Sequence, residues 1–146
     1  LAFFFFLCQY IDMVCIYCGN KTMVSNSRHQ KRSNGVWRRR LCTKCKATFT
    51  SIEIVDLQTS FIVNSKGHLE PFLRDKILIS LYDSLKHRKT AIGDASALTD
   101  TVISKVYVQT QSSEISLVKL ESIIQSVLNN FDHVAATHYQ AYYIDS

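Results

Sequence analysis

Two short stretches decide the reading of this chain: MVCIYCGN at residues 13–20 and VWRRRLCTKCK at residues 36–46. Each holds a Cys-x-x-Cys pair, Cys15/Cys18 and Cys42/Cys45, with 23 residues between the pairs. A two-residue spacer lets one tight turn present two sulfurs to one ion, and zinc takes four such soft ligands in a tetrahedron. Gly19 supplies the permissive backbone such a turn favours, and Lys46 holds the equivalent place after Cys45. With all four positions filled by protein, the expected site is closed and structural, holding one Zn2+ per chain. A helix-free segment of about 40 residues has too little core to fold alone. The roughly 10–16 kcal/mol of zinc binding would then double as folding free energy. The rival readings are four unrelated cysteines or a redox dithiol. Two pairs flanking a basic hairpin speak against both, and His29 and His68, in polar loops, read as solvated rather than as replacement ligands.

Outward from the cysteines, the charge is uneven. Residues 13–50 carry nine Lys and Arg and no acid, while all twelve Asp and Glu lie elsewhere, in a chain of net charge +5. A zinc tetrathiolate removes two of those charges and leaves the local basic excess in place. On an extended strand, Arg38 and Arg40 point one way and Trp37 and Arg39 the other. With Arg28, Lys31, Arg32 and Lys44 they form a positive surface suited to phosphates, with an aromatic plane for a groove or a base. Nucleic acid is the expected partner. Nothing supports an enzyme: there is no acid cluster, no glycine-rich phosphate loop before a helix, and no nucleophile paired with a base.

The cysteine pattern points to a reducing compartment. The apolar run in LAFFFFLCQYID, residues 1–12, falls far short of the roughly 20 residues needed to span a bilayer. It lacks the basic flank and cleavage site of a signal peptide. Residues 1–12 are expected to be a leader outside the fold, with translation starting at Met13, and no membrane is expected as a partner.

Strands are expected at residues 23–27, 35–41 and 47–57, with Asn34-Gly35 as a hairpin signal. The expected domains are a zinc ribbon over 13–50, a linker over 51–59 and a second domain over 60–146. That second domain opens with a strand at 60–64 and a turn at Ser65-Lys66-Gly67. Helical stripes follow: Ile77, Leu78, Leu81, Tyr82, Leu85; then Ala97, Leu98, Thr101, Val102, Val106; then Leu120, Ile123, Ile124, Val127, Leu128. Asp94, Ser116 and Asp132 are the expected N-caps of the second, third and fourth helices. The fold class is α+β: a small N-terminal β zinc ribbon, then a mainly α domain with a short β element.

From Met13 onward the residues resemble the NrdR-type transcriptional repressors of ribonucleotide reductase genes. The resemblance rests on RRRLCTKC at 38–45, Phe49-Thr50, Glu53, Lys66-Gly67, Glu70-Pro71-Phe72, Arg74, Lys76, Arg88, Asp132-x-Val134-Ala135 and Tyr143. It implies that the second domain is an ATP-cone that binds ATP or dATP, with Lys66, Gly67, Glu70, Phe72, Lys76 and Arg88 as the nucleotide-binding residues. It also implies a homo-oligomer whose assembly, set by the nucleotide effector, decides whether paired operator sites in double-stranded DNA are engaged, and a cytoplasmic, nucleoid-associated place in a bacterium. The family usually has a lysine pair and Asp before the cone's glycine, where this chain has Asn64, Ser65 and Lys66. The alternative is a ribbon protein whose helical domain serves assembly alone.

Overall fold

The computed structural model describes residues 13–31 and 33–144, so the expected leader, residues 1–12, lies outside the described residues, as does Arg32. The described chain forms two compact units, with the main division between Glu53 and Ile54.

The first unit is a three-stranded antiparallel sheet in the order β1-β2-β3: β1 (Thr22–Gln30), β2 (Gly35–Cys42) and β3 (Thr48–Glu53). The β1–β2 hairpin pairs Gln30 with Gly35, so its loop is the four residues 31–34 rather than a two-residue Asn-Gly turn. Asn34 still takes a left-handed backbone, φ 47°, directly before the strand, a conformation Asn tolerates better than most residues. The third strand is shorter than expected. It stops at Glu53, and Leu57, expected as its last residue, instead opens a single helical turn, α1 (Leu57–Ser60). Asp56 caps that turn by accepting from the Gln58 amide at 3.1 Å.

The second unit contains a three-stranded sheet in the order β5-β4-β6. β4 (Ile62–Ser65) pairs antiparallel with β5 (His68–Pro71) and parallel with β6 (Glu114–Ser116). Sequence patterning predicts neither β5 nor β6: each is too short for an alternation to register, and β6 is made by pairing with residues about 50 positions away. Besides α1, which also belongs to this unit, four helices follow: α2 (Arg74–Ser84), α3 (Ala91–Gln109), α4 (Leu117–Phe131) and α5 (His133–Tyr139), with a π-helical turn over Gln140–Ile144. Ser116 and Asp132 cap α4 and α5 as expected.

Asp94 does not cap α3. The helix begins three residues earlier, at Ala91, and Asp94 sits in its first turn, accepting from Thr90 Oγ1 at 2.7 Å and Arg88 Nε at 2.8 Å. A carboxylate there is favoured by the helix dipole without being the cap. The buried face of α3 is also rotated from the expected one. Ala95, Leu98, Thr99, Val102, Ile103 and Val106 are buried, while Ala97 is not. Thr99 is tolerated inside because its hydroxyl donates to the Ala95 carbonyl at 2.7 Å. The α4 stripe is buried as read, and with Phe72, Leu81, Leu85 and Ile115 it forms the core of this unit.

Candidate metal centre and nucleic-acid interface

The four cysteines converge. All four Sγ atoms lie within 4.8 Å of one another, with Cys15–Cys45 at 3.7 Å and Cys18–Cys42 at 3.5 Å. A tetrahedron of sulfurs at the usual zinc–sulfur distance has edges of about 3.8 Å, so the donor set fits one zinc ion. The two knuckles are built alike. The Cys15 amide donates to the Asn20 carbonyl at 2.8 Å, and the Cys42 amide donates to the Ala47 carbonyl at 2.9 Å. Gly19 and Lys46 close the two turns with left-handed backbones, φ 69° and 61°. At Lys46 that conformation carries strain that glycine avoids.

Amide groups point at the sulfurs. The amides of Lys44 and Cys45 both lie 3.4 Å from Cys42 Sγ, and Asn20 Nδ2 lies 3.4 Å from Cys18 Sγ. Such donors favour thiolates. The backbone and side-chain amides of Asn20 pull the Cys18 thiol down to about 6. At Cys45 the Ala47 amide acts the same way, but the contact with Cys42, burial and the other two sulfurs outweigh it and push the thiol up to about 12. Four sulfurs this close ionise together only around a cation. Asn20 is absent from the cysteine spacing itself. Its signal is the short amide side chain two residues after Cys18.

The arginine run divides by face, as alternation predicts. Arg40 is buried, with Nε donating to Ser51 Oγ at 3.0 Å and Nη1 to Thr22 Oγ1 at 3.4 Å. Arg38, on the same face, pairs with Glu53 at 2.9 Å and reaches Ser27 Oγ at 3.3 Å. Arg39, on the opposite face, is exposed, its guanidinium 3.2 Å from Thr48 Oγ1. Trp37 shares that face, and the Arg28 guanidinium lies over its ring at 5.9 Å. Lys31 and Lys44 are exposed.

A family model described as "Transcriptional repressor NrdR-like, N-terminal domain" matches residues 13–53. A transcriptional repressor NrdR of Rhodospirillum centenum is 35% identical over 91% of this chain and 86% of its own length. The chain belongs to the NrdR family of transcriptional repressors. A further NrdR, from Psychrobacter arcticus, is 33% identical over 91% of this chain and 88% of its own. One from Bdellovibrio bacteriovorus is 31% identical over 90% and 67% respectively. The relatives carry the name of regulators, not of enzymes. Among the described residues, no helix is long and apolar enough to cross a membrane.

The helical unit of this NrdR-family chain contains a cavity of about 320 Å³, lined mainly by apolar side chains of β4, β5, α2 and α4. Of the residues expected to bind nucleotide, Glu70, Phe72 and Lys76 line it; Lys66, Gly67 and Arg88 do not. Phe72 is buried and packs against Phe61 with tilted rings, centroids 6.3 Å apart. Lys66 and Gly67 form the β4–β5 turn, φ 51° and 91°. Arg88 is committed elsewhere: it holds Asp94 at 2.8 Å and Asp132 at 3.0 Å, and stands 4.8 Å from the Phe131 ring centroid. Glu121, Tyr139 and Tyr143 also line it, and none of them is among the residues expected to bind nucleotide, although Tyr143 is one of those that carry the resemblance. Glu121 has a legible signal, a carboxylate on the Leu117–Leu120–Ile124 side of α4, where burial raises its affinity for a proton.

Proposed function

We propose that this protein is a zinc-dependent, DNA-binding repressor of ribonucleotide reductase genes, with a ribbon over residues 13–50, a linker over 51–59 and an effector domain over 60–146. The observation that carries the reading is the ribbon itself. A four-cysteine centre anchors a sheet in which residues 13–50 carry nine basic side chains and no acid, Arg38 pairs with Glu53, and Arg28, Trp37 and Arg39 share one face. Arginine supplies bidentate contacts to phosphate or to guanine, and an indole ring supplies a flat apolar contact. Lys31, Arg32 and Lys44 extend the field that draws DNA in. Arg38 and Arg40 stand on the other face, where they hold the strands together and carry positive charge.

In the same reading, an adenine nucleotide, ATP or dATP, taken up by the helical domain biases how copies of the chain associate. Two ribbons held at fixed spacing gain from effective concentration, so a change in assembly switches operator binding. The protein works in the cytoplasm with the nucleoid, where thiolates stay reduced and DNA is at hand. The test is binding of the zinc-loaded chain to duplex from upstream of a ribonucleotide reductase gene, against a scrambled duplex, over a salt series. Preferential binding that disappears on chelation supports the reading. Equal binding to both duplexes, or binding indifferent to zinc, overturns it.

A further inference from the structure

The two exposed sulfurs of the metal centre are not equivalent. Cys15 and Cys42 are buried, at 2% and 0% exposure, whereas Cys18 and Cys45 face solvent. A reagent arriving from water therefore meets Cys18 or Cys45 first. The two knuckles match in backbone: Asn20 and Ala47 stand two residues after the exposed cysteines, and each offers its amide to that sulfur. Only the first knuckle adds a side chain. Asn20 Nδ2 lies 3.4 Å from Cys18 Sγ and donates to the Cys18 carbonyl at 2.9 Å, so it braces that ligand and draws charge from its sulfur. Ala47 has only a methyl group in the same place. The second knuckle is also the strained one, since Lys46 closes it with φ 61° where the first has Gly19. The Lys46 ammonium is engaged by the Thr43 carbonyl at 2.9 Å.

The nucleophilicity of a thiolate falls with its basicity, and each N–H donor lowers that basicity. With all four sulfurs held as thiolates, Cys45 is the exposed one that keeps the most reactive lone pairs. Cys15 Sγ lies 3.7 Å from it, within reach of a disulfide after a small movement. We propose that Cys45 is a modification site for peroxides, the ligand at which oxidation of the metal centre begins, and that Asn20 protects Cys18 from the same attack. The Cys45 thiolate attacks one peroxide oxygen; the O–O bond breaks and hydroxide leaves, giving a sulfenic acid. The Cys15 thiolate then displaces hydroxide from that sulfur and closes the disulfide. Two electrons pass from the two sulfurs to the peroxide, whose oxygens end as two hydroxides. Cys18 and Cys42 are then the only thiolates left for zinc, and the ribbon loses its metal and its fold. The consequence for DNA rests on the function proposed above; the chemistry at Cys45 rests on the cysteine cluster alone.

The test uses the full zinc-loaded chain in a Cys8→Ser background, which leaves the four ligands as the only thiols. Hydrogen peroxide is added in substoichiometric amount, with dimedone to trap sulfenic acids and a chromogenic chelator to read zinc release, and labelled peptides are assigned by mass spectrometry. A tenfold difference in sulfur basicity changes the rate of attack about threefold, so Cys45 is expected to be labelled at least about threefold faster than Cys18. Without the trap, Cys15–Cys45 is the expected first disulfide, and zinc release keeps pace with it. Asn20→Ala is expected to bring Cys18 labelling level with Cys45, and Ala47→Asn to slow labelling at Cys45 by a similar factor. Labelling of Cys18 as fast as Cys45 without either variant overturns the proposal, as does a ratio that both variants leave unmoved. Oxidation that leaves zinc bound, or no reaction at any of the four ligands, overturns it too.

Discussion

Arg39 and Arg40 are neighbours with opposite surroundings, and two substitutions read the difference. Arg39→Ala removes an exposed guanidinium on the Trp37 face. DNA affinity is expected to fall, with the log–log salt slope flattened by about one unit for each phosphate no longer neutralised, and the melting temperature held. Arg40→Ala leaves the hydroxyls of Ser51 and Thr22 without their arginine partner. Thr22 keeps its bond to the Met13 carbonyl, so the loss is that of two hydrogen bonds at about 0.5–1.5 kcal/mol each, and that variant is expected to melt early whether or not DNA is present. Equal effects of both variants on melting would refute the division of faces. Asp132 sets a pH dependence. The amide of Ala135, with His87 and Arg88, outweighs burial and holds its carboxyl well below the usual carboxylate range. Asp94 is held down too, by Thr90 and then Arg88. A depressed folded value means stability that is fully present above the unfolded value of about 4 and is lost as pH falls toward the folded one. Chemical denaturation midpoints of the helical unit are expected to be level from about pH 7 to 5 and to drop below about pH 4, less steeply in Asp132→Asn. A flat profile to low pH would contradict the network.

At the level of elements, the ribbon and the helices are held by different forces. The three strands bury little: of β1 only Thr22 is buried, and among the described residues the buried apolar side chains of the first unit's core are Cys15 and Cys42, both metal ligands. Cys42→Ser, or chelation of the intact chain, is expected to erase the β-sheet signal of the ribbon while the helical circular dichroism persists; a sheet that survives without metal would show that the strands fold unaided. The helical unit has an apolar interior of its own. Leu81 and Leu128 are fully buried there, and truncation of either to Ala is expected to cost about 2–5 kcal/mol in denaturant titrations. The caps are separate and smaller: Ser116→Ala removes the hydroxyl that accepts from the Lys119 amide and is expected to cost about 1 kcal/mol.

At the scale of the molecule, regulation requires that a ligand favour one assembly over another, since equal affinity for two states shifts neither. Light scattering of the zinc-loaded chain, alone and with ATP or dATP, is the measurement for the proposed coupling. A mass that moves with ligand supports an effector role for the helical unit. A constant mass together with measurable binding heat would show a ligand site uncoupled from assembly.

The metal ligands, the face alternation of the arginine run and the core stripe of α4 were determined by the sequence alone. Each is a matter of local geometry, a two-residue spacer at a metal or a side-chain period on a strand or helix. The α3 stripe was legible only in part, since Ala97 and Ala95 are equally apolar and only the packing partner chooses between them. Other features were decided by tertiary structure, through contacts between residues far apart in the chain. Arg40 became internal because Thr22, 18 residues away, and Ser51 fold over it. Arg88, assigned to nucleotide by resemblance, was claimed by Asp132, 44 residues on, and by Asp94. The short strand β6 exists through its pairing with β4. The charge of the helical cavity is likewise set by Glu121 being carried to the same cavity as Glu70 and Lys76, a placement that no spacing along the chain encodes because electrostatic energy depends on distance in space.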